Sequence, residues 1–263
     1  PGGGVRTAEA VADRGRGMKA AALRPLVGDL RQFASVRPVV LDDGAERGQR
    51  ALLFSTGGGL DFTVLPDRAM DIGTLQFRGL PLAWQSPAGL RSPFLADQEA
   101  DGGRGFNRSL SGLLVTCGLE HIRQPAGGSP LHGRLPGTPA RLLAHGEDWD
   151  RIEPMLYAEG EAVQAAYGRE HLRLRRRLEA PIGGTRLSII DRVENGAGVS
   201  SPHALLYHLN FGYPGIGSGT TVSLEGTPRL GPLAFADPEA SPTVTCFKAG
   251  PESRAHCVVS PAG

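Results

Sequence analysis

Lysine is almost absent from this chain. Only Lys19 and Lys248 occur, so 26 of its 28 basic residues are arginine. A skew this uniform is a bias of the whole sequence and carries no functional weight. An excess of charge of one sign is also lacking: 28 basic residues face 27 acidic ones, for a net charge of +1. That removes any general electrostatic attraction for nucleic acid or an anionic membrane. Cys117, Cys246 and Cys257 are too few and too scattered for a disulfide framework. No apolar run approaches the roughly 18 residues that a membrane-spanning helix needs. Pro1–Gly17 is polar and rich in small residues, without the apolar stretch of a secretory signal. These absences lead to the expectation of a soluble, cytoplasmic protein. The first methionine is Met18, so Pro1–Gly17 reads as a disordered leader or non-native extension, and residues 18–263 as one domain.

What the chain has in abundance is glycine and proline, 38 and 21 of its 263 residues. With 40% hydrophobic residues and no Gly-X-Y period, this is a folded chain with many turns between short elements. Arg50–Thr56 is a short apolar run punctuated by Gly57–Gly59. Leu60–Leu65 alternates and stops at Pro66, and Thr74–Arg78 is closed by Gly79-Leu-Pro81. Ser86–Asn107 reads as loop. The clearest pattern lies at 171–195. Leu172, Leu174 and Leu178 fall on one face, and Arg173, Arg175 and Arg177 on the other. A Pro/Gly turn follows, and then Leu187, Ile189 and Val193 fall in phase. Period 2 on both arms of a turn is a β-hairpin with one buried and one wet face. The only helical stripe, Met18–Leu30, is short and broken by Pro25. The expectation is therefore an all-β, antiparallel sandwich or barrel. The basic tract Arg173, Arg175, Arg176 and Arg177 reads as a solvated strand face, since no aromatics interleave with it as a single-strand binding surface would require.

No metal or cofactor motif stands up. Cys117 and His121 are four apart, but no second pair completes a zinc site, and His203 and His208 would face opposite sides of a strand. Gly215–Gly219 is not followed by a helix pattern. There is no phosphate loop and no nucleophile elbow. Three segments concentrate polar and aromatic groups between turns: Leu65–Gly73, Leu131–Leu135 and Leu206–Pro214. In the third, Tyr207, Leu209, Phe211 and Tyr213 share one face, expected to pack inward. His208 and Asn210 share the other, and the pattern fits a ligand site or a plain wet face equally.

Taken in order, these segments resemble the galactose mutarotase-like superfamily, in its uncharacterised bacterial aldose 1-epimerase-like branch. Gly28–Gln32, Gly79–Trp84 and Gly112–Glu120 extend the likeness. The resemblance implies a large antiparallel β-sandwich, the galactose mutarotase-like supersandwich, with a small-molecule sugar as partner and no cofactor. It implies interconversion of sugar anomers: a base takes the C1 hydroxyl proton, an acid protonates the ring oxygen, and the opened chain recloses on its other face. On motif position His208 matches the general acid and His132 the second histidine, at the ring oxygen or a hydroxyl. Arg68 resembles a sugar-hydroxyl binder that Asp71 orients. Asn210, Arg134, Glu120 and His121 are further candidates for substrate contact, and Trp84 stacks on a sugar or belongs to the core. The family takes its base from a Glu in a late strand. Glu225, Glu239 and Glu252 do not match that motif, which leads to the expectation of a sandwich truncated at its C-terminus. A non-catalytic carbohydrate-binding protein, or a sugar lyase or isomerase on the same fold, are the alternatives.

Overall fold

The 171–195 pattern folds as expected. In the computed structural model, which describes residues 19–216 and the strand residues 221–224, 229–230, 244–245 and 257–260, the hairpin is the backbone of a four-stranded sheet. Its strands are β7 (Arg141–Asp148), β8 (Met155–Ala165), β9 (His171–Pro181) and β10 (Ser188–Asn195), ordered β10-β9-β8-β7. The sequence pattern left β8 unread because its inward positions are small: Ala158, Gly160 and Ala162 alternate with Tyr157, Glu159 and Glu161. Gly160 must be small, since a Cβ there would come within 2.6 Å of the Met70 sulfur.

A seven-stranded antiparallel sheet forms the second layer. It holds β1 (Ser35–Val40), β2 (Arg50–Ser55), β3 (Leu60–Leu65), β4 (Asp71–Phe77), β6 (Leu114–Leu119) and β11 (Ala204–Leu209) in that order. The short β5 (Leu80–Pro81) pairs with β4. Phe54 and Phe62 stack at 4.5 Å between the layers, with Leu52, Val64 and Ile72 beside them. From the other sheet, Leu156, Leu172, Leu174 and Leu178 meet them. Burying such side chains contributes roughly 1.5–3 kcal/mol each, and this seam is the main source of the sandwich's stability. The expected loop at 86–107 contains only short helical turns.

The wet face of β9 is wet. Arg173, Arg175 and Arg177 pair there with Glu161, Glu159 and Glu179. Arg176 differs: it lies in phase with the leucines and is fully buried. On β11 the two faces are the reverse of the expectation. Tyr207, Leu209, Phe211 and Tyr213 are exposed, whereas His208 and Asn210 are half-buried. The reason is position. Among the described strands β11 pairs only with β6, at the sheet's edge, and beyond Tyr207 the second sheet no longer covers that side.

These strands belong to the compact unit Pro1–Tyr213. In the other unit, Pro214–Gly263, β12 (Thr221–Leu224) pairs with β15 (Cys257–Ser260), and β13 (Arg229–Leu230) pairs with β14 (Val244–Thr245). The expected leader Pro1–Gly17, and Glu225, Glu239 and Glu252, lie outside the described residues. No helix among the described residues is long and apolar enough to cross a membrane.

Candidate active site

His132 and His208 lie 76 positions apart in sequence and meet in space. Their ring centroids are 6.0 Å apart, edge to face. Phe106 packs against both, at 4.8 Å from His132 and 6.3 Å from His208. Phe106 itself is buried in a small apolar cluster with Val115, Cys117 and Leu131. His208 reaches this place from β11, opposite Val115 of β6.

His132 reaches it from the connection between β6 and β7, and the Leu-His-Gly motif explains how. Leu131 anchors in the apolar cluster. His132 takes a left-handed backbone with φ of 63°. Gly133 follows at φ 74°, where a Cβ would stand 2.5 Å from the carbonyl oxygens of Gly118 and His121. The His132 N–H donates to the Arg123 carbonyl, and the Arg123 N–H donates to the His132 Nδ1 at 3.3 Å. With Nδ1 accepting, a neutral ring carries its proton on Nε2. Burial, then the positive neighbours His208, His121 and Arg123, hold the His132 pKa down to about 4. Burial lowers the His208 pKa too, against a side-chain hydrogen bond with Asn210 that raises it.

Arg134 and Glu120 brace this loop. Glu120 Oε1 accepts from the Arg134 N–H and from its Nη1 at 3.0 Å. Arg134 also donates to Glu99 and to the Gly128 carbonyl. Its donors are thus engaged inside the protein, while Glu120 Oε2 is buried without a partner. His121 Nε2 contacts the Gln124 carbonyl at 2.6 Å and stays outside the paired rings.

A second group adjoins His208 through Asn210, which donates from Nδ2 to the Gly112 carbonyl at 2.9 Å. The neighbouring Ser111 carbonyl accepts from Arg68 Nη2 at 3.1 Å. Arg68 is buried, and its Nη1 has no partner. Burial pushes its pKa down, against the charge of Asp71. Trp84 donates its backbone N–H to the Asn210 carbonyl, and the residue is 37% exposed, so it is not a core tryptophan.

Asp71 is placed differently from the expectation. Its carboxylate makes no hydrogen bond to Arg68. Both oxygens accept the Thr116 N–H at 3.0 Å, and Oδ1 accepts from Arg176 Nη1 at 3.0 Å. Burial drives its pKa up, against Arg176, Thr116 and Arg68. Arg176 was not legible as a partner, because it stands 105 residues away. The available signal was one arginine in phase with the buried leucines of β9.

Among the described residues no group of three His, Cys, Asp or Glu could hold a metal ion. An open cavity of about 520 Å³ lies over β1 to β4, lined by residues such as Arg37, Asp61 and Gln76. None of the candidate site residues lines it.

A family model described as a domain of unknown function, DUF4432, matches residues 46–252. No curated protein matches the chain. Among solved structures, a provisionally assigned aldose 1-epimerase from Klebsiella pneumoniae is similar at a TM-score of 0.69 and 24% identity, over 78% of this chain and 54% of that one. A galactose mutarotase-like protein from Clostridium acetobutylicum is similar at a TM-score of 0.53 and 13% identity, over 77% of this chain and 62% of that one. The chain thus spans less than two thirds of either protein's length. The likeness establishes the fold as the galactose mutarotase-like β-sandwich.

Proposed function

The chain belongs to the DUF4432 family, and from that premise we propose that it binds a sugar and interconverts its anomers, as an aldose 1-epimerase does. The observation that carries this reading is the edge-to-face pair of His132 and His208 over Phe106. Anomer exchange needs a proton delivered to the ring oxygen while the C1 hydroxyl loses one. His208 takes the first task as the ring that faces Phe106 and His132, and burial, by lowering its pKa, reduces the share that carries a proton at neutral pH. His132, its Nδ1 occupied by a backbone N–H, offers Nε2–H to a ring or hydroxyl oxygen. Asn210 extends the polar edge, and the half-exposed Trp84 supplies a face for the apolar side of a sugar. Arg134 and Glu120 brace the connection that carries His132.

Polarimetry of freshly dissolved α-glucose, α-galactose and a broader aldose panel tests the proposal. Mutarotation should exceed the buffer rate, and His208→Ala should lower it by roughly 10²-fold or more. A wild-type rate equal to buffer across the panel would overturn it. One observation favours a second reading, a non-catalytic sugar-binding protein. Burial lowers the pKa of both imidazoles, and neutral rings hydrogen-bond a sugar without protonating it. Sugar-dependent NMR shifts at His132 and His208 without turnover would favour that second reading.

A further inference from the structure

Side chains alternate along a strand, so Tyr207 and His208 leave β11 on opposite faces. His208 faces Phe106 and His132. Tyr207 reaches across the layers, where its hydroxyl donates to Asp191 Oδ2 of β10 at 2.7 Å. Asp191 is the cross-strand partner of Arg176 and accepts from its Nε and Nη2 at 2.9 and 2.7 Å. The same guanidinium lies 5.9 Å from the Tyr207 ring centroid. Its remaining nitrogen, Nη1, donates to Asp71 Oδ1 and to Thr116 Oγ1. Thr116 is the register partner of Tyr207 on β6. Gly160, the partner of Arg176 on β8, has no side chain to compete for this space.

We infer that Arg176 is a positioning residue for His208, acting through Asp191 and Tyr207. The inference deepens the reading above and rests on it, since it concerns the aim of the proposed proton donor. Burying ion pairs is not by itself an efficient source of stability, because well-packed apolar residues often replace them without loss. What the network supplies is geometry. Among the described strands β11 has one ladder, to β6, and past His208 the chain bonds to Leu82 and Trp84. A strand with one ladder can roll about its own axis along the stretch before those bonds. That roll would displace a side chain on the opposite face, and a misplacement of about 1 Å can cost on the order of 10²-fold in rate. Fixing Tyr207 to the second sheet and Thr116 to Asp71 removes the roll one residue before His208.

Tyr207→Phe and Asp191→Asn test this. Tyr207→Phe removes one hydroxyl from a half-exposed ring, so it remains informative if Asp191→Asn does not fold. Three quantities are measured: kcat and KM by polarimetry, the pH dependence of kcat, and the NMR titration of each histidine ring. Tyr207→Phe should lower kcat by about tenfold with KM within about twofold. It should shift the His208 titration, which burial sets, and leave that of His132 in place. A lower melting temperature with kcat and the His208 titration both unchanged would assign the network to stability alone and overturn the inference. If the wild type has no turnover, the proposed function fails, and the His208 titration decides the inference by itself. A shift supports it and no shift overturns it.

Discussion

The two histidines arrive at the same place by opposite means. His132 is held locally: a left-handed backbone, a glycine with no room for a Cβ, and two hydrogen bonds with Arg123 fix it within a connection braced by Arg134 and Glu120. His208 sits on an edge strand and is held from a distance, through side chains that cross both sheets. A loop residue needs its own scaffold, because little else packs on it. A strand residue inherits its place from the strand, and the strand from whatever stops it moving. None of these hydrogen bonds belongs to both supports, so breaking one should disturb its own histidine more than the other.

The largest effect is expected from Arg176→Met. The variant strands Asp71 and Asp191 in the interior without their cation, and breaking a buried pair in this way costs about 3–5 kcal/mol. Urea unfolding measures it, and NMR reports which histidine moves. His208 should shift and the Arg123 N–H bond to His132 should persist. A cost below about 1 kcal/mol would mean that Arg176 behaves like an ordinary surface arginine.

Gly133→Ala probes the other support. The new methyl meets two carbonyl oxygens at 2.5 Å, at a φ of 74°. Overpacking and left-handed strain together predict a loss of about 1–3 kcal/mol. Here the His132 resonances should move while the Tyr207 hydroxyl keeps its bond to Asp191. Equal disturbance of both histidines by either variant would show that the supports are one.

Much of this was legible in the sequence and some could not be. The β9–β10 hairpin was plain because leucine and arginine alternate strictly. β8 was not, because its inward face is alanine and glycine, which carry little hydrophobic signal. The burial of β11 was read backwards: its aromatics look like a core face, yet among the described strands β11 lies at the sheet's edge, where Tyr207 touches the second sheet and Leu209, Phe211 and Tyr213 are exposed. The histidine pair became visible through segment order and family resemblance, since no local spacing connects residues 132 and 208. Asp71 was singled out, but its hydrogen-bond partner Arg176 is supplied by tertiary packing that no motif encodes.

A smaller effect separates the two rings by pH. The folded His132 has a pKa of about 4, against about 6.5 when unfolded. The unfolded chain therefore takes up a proton first as pH falls. The stability that His132 contributes is complete above about pH 6.5 and is lost progressively toward pH 4. The lowered pKa of His208 acts in the same direction. Because His132 is only half-buried, solvent screening reduces the linkage to about 1–2 kcal/mol. His132→Gln should flatten this part of the stability-against-pH curve, and an unchanged slope would mean the ring is not held neutral by its loop.

The smallest effect is the sharpest control. Arg175 precedes Arg176 on β9 but points outward, where it pairs with Glu159 and lowers that carboxyl's pKa through their hydrogen bond. Exposed pairs of this kind contribute about 0–1 kcal/mol. Arg175→Ala should therefore cost little and leave both histidine titrations where they were. Two adjacent arginines would then differ several-fold in stability and completely in their effect on His208. The only distinction between them is the face of the strand. If Arg175→Ala moved His208 as Arg176→Met does, the general charge of β9 would be responsible, and the cross-sheet path through Asp191 and Tyr207 would lose its support.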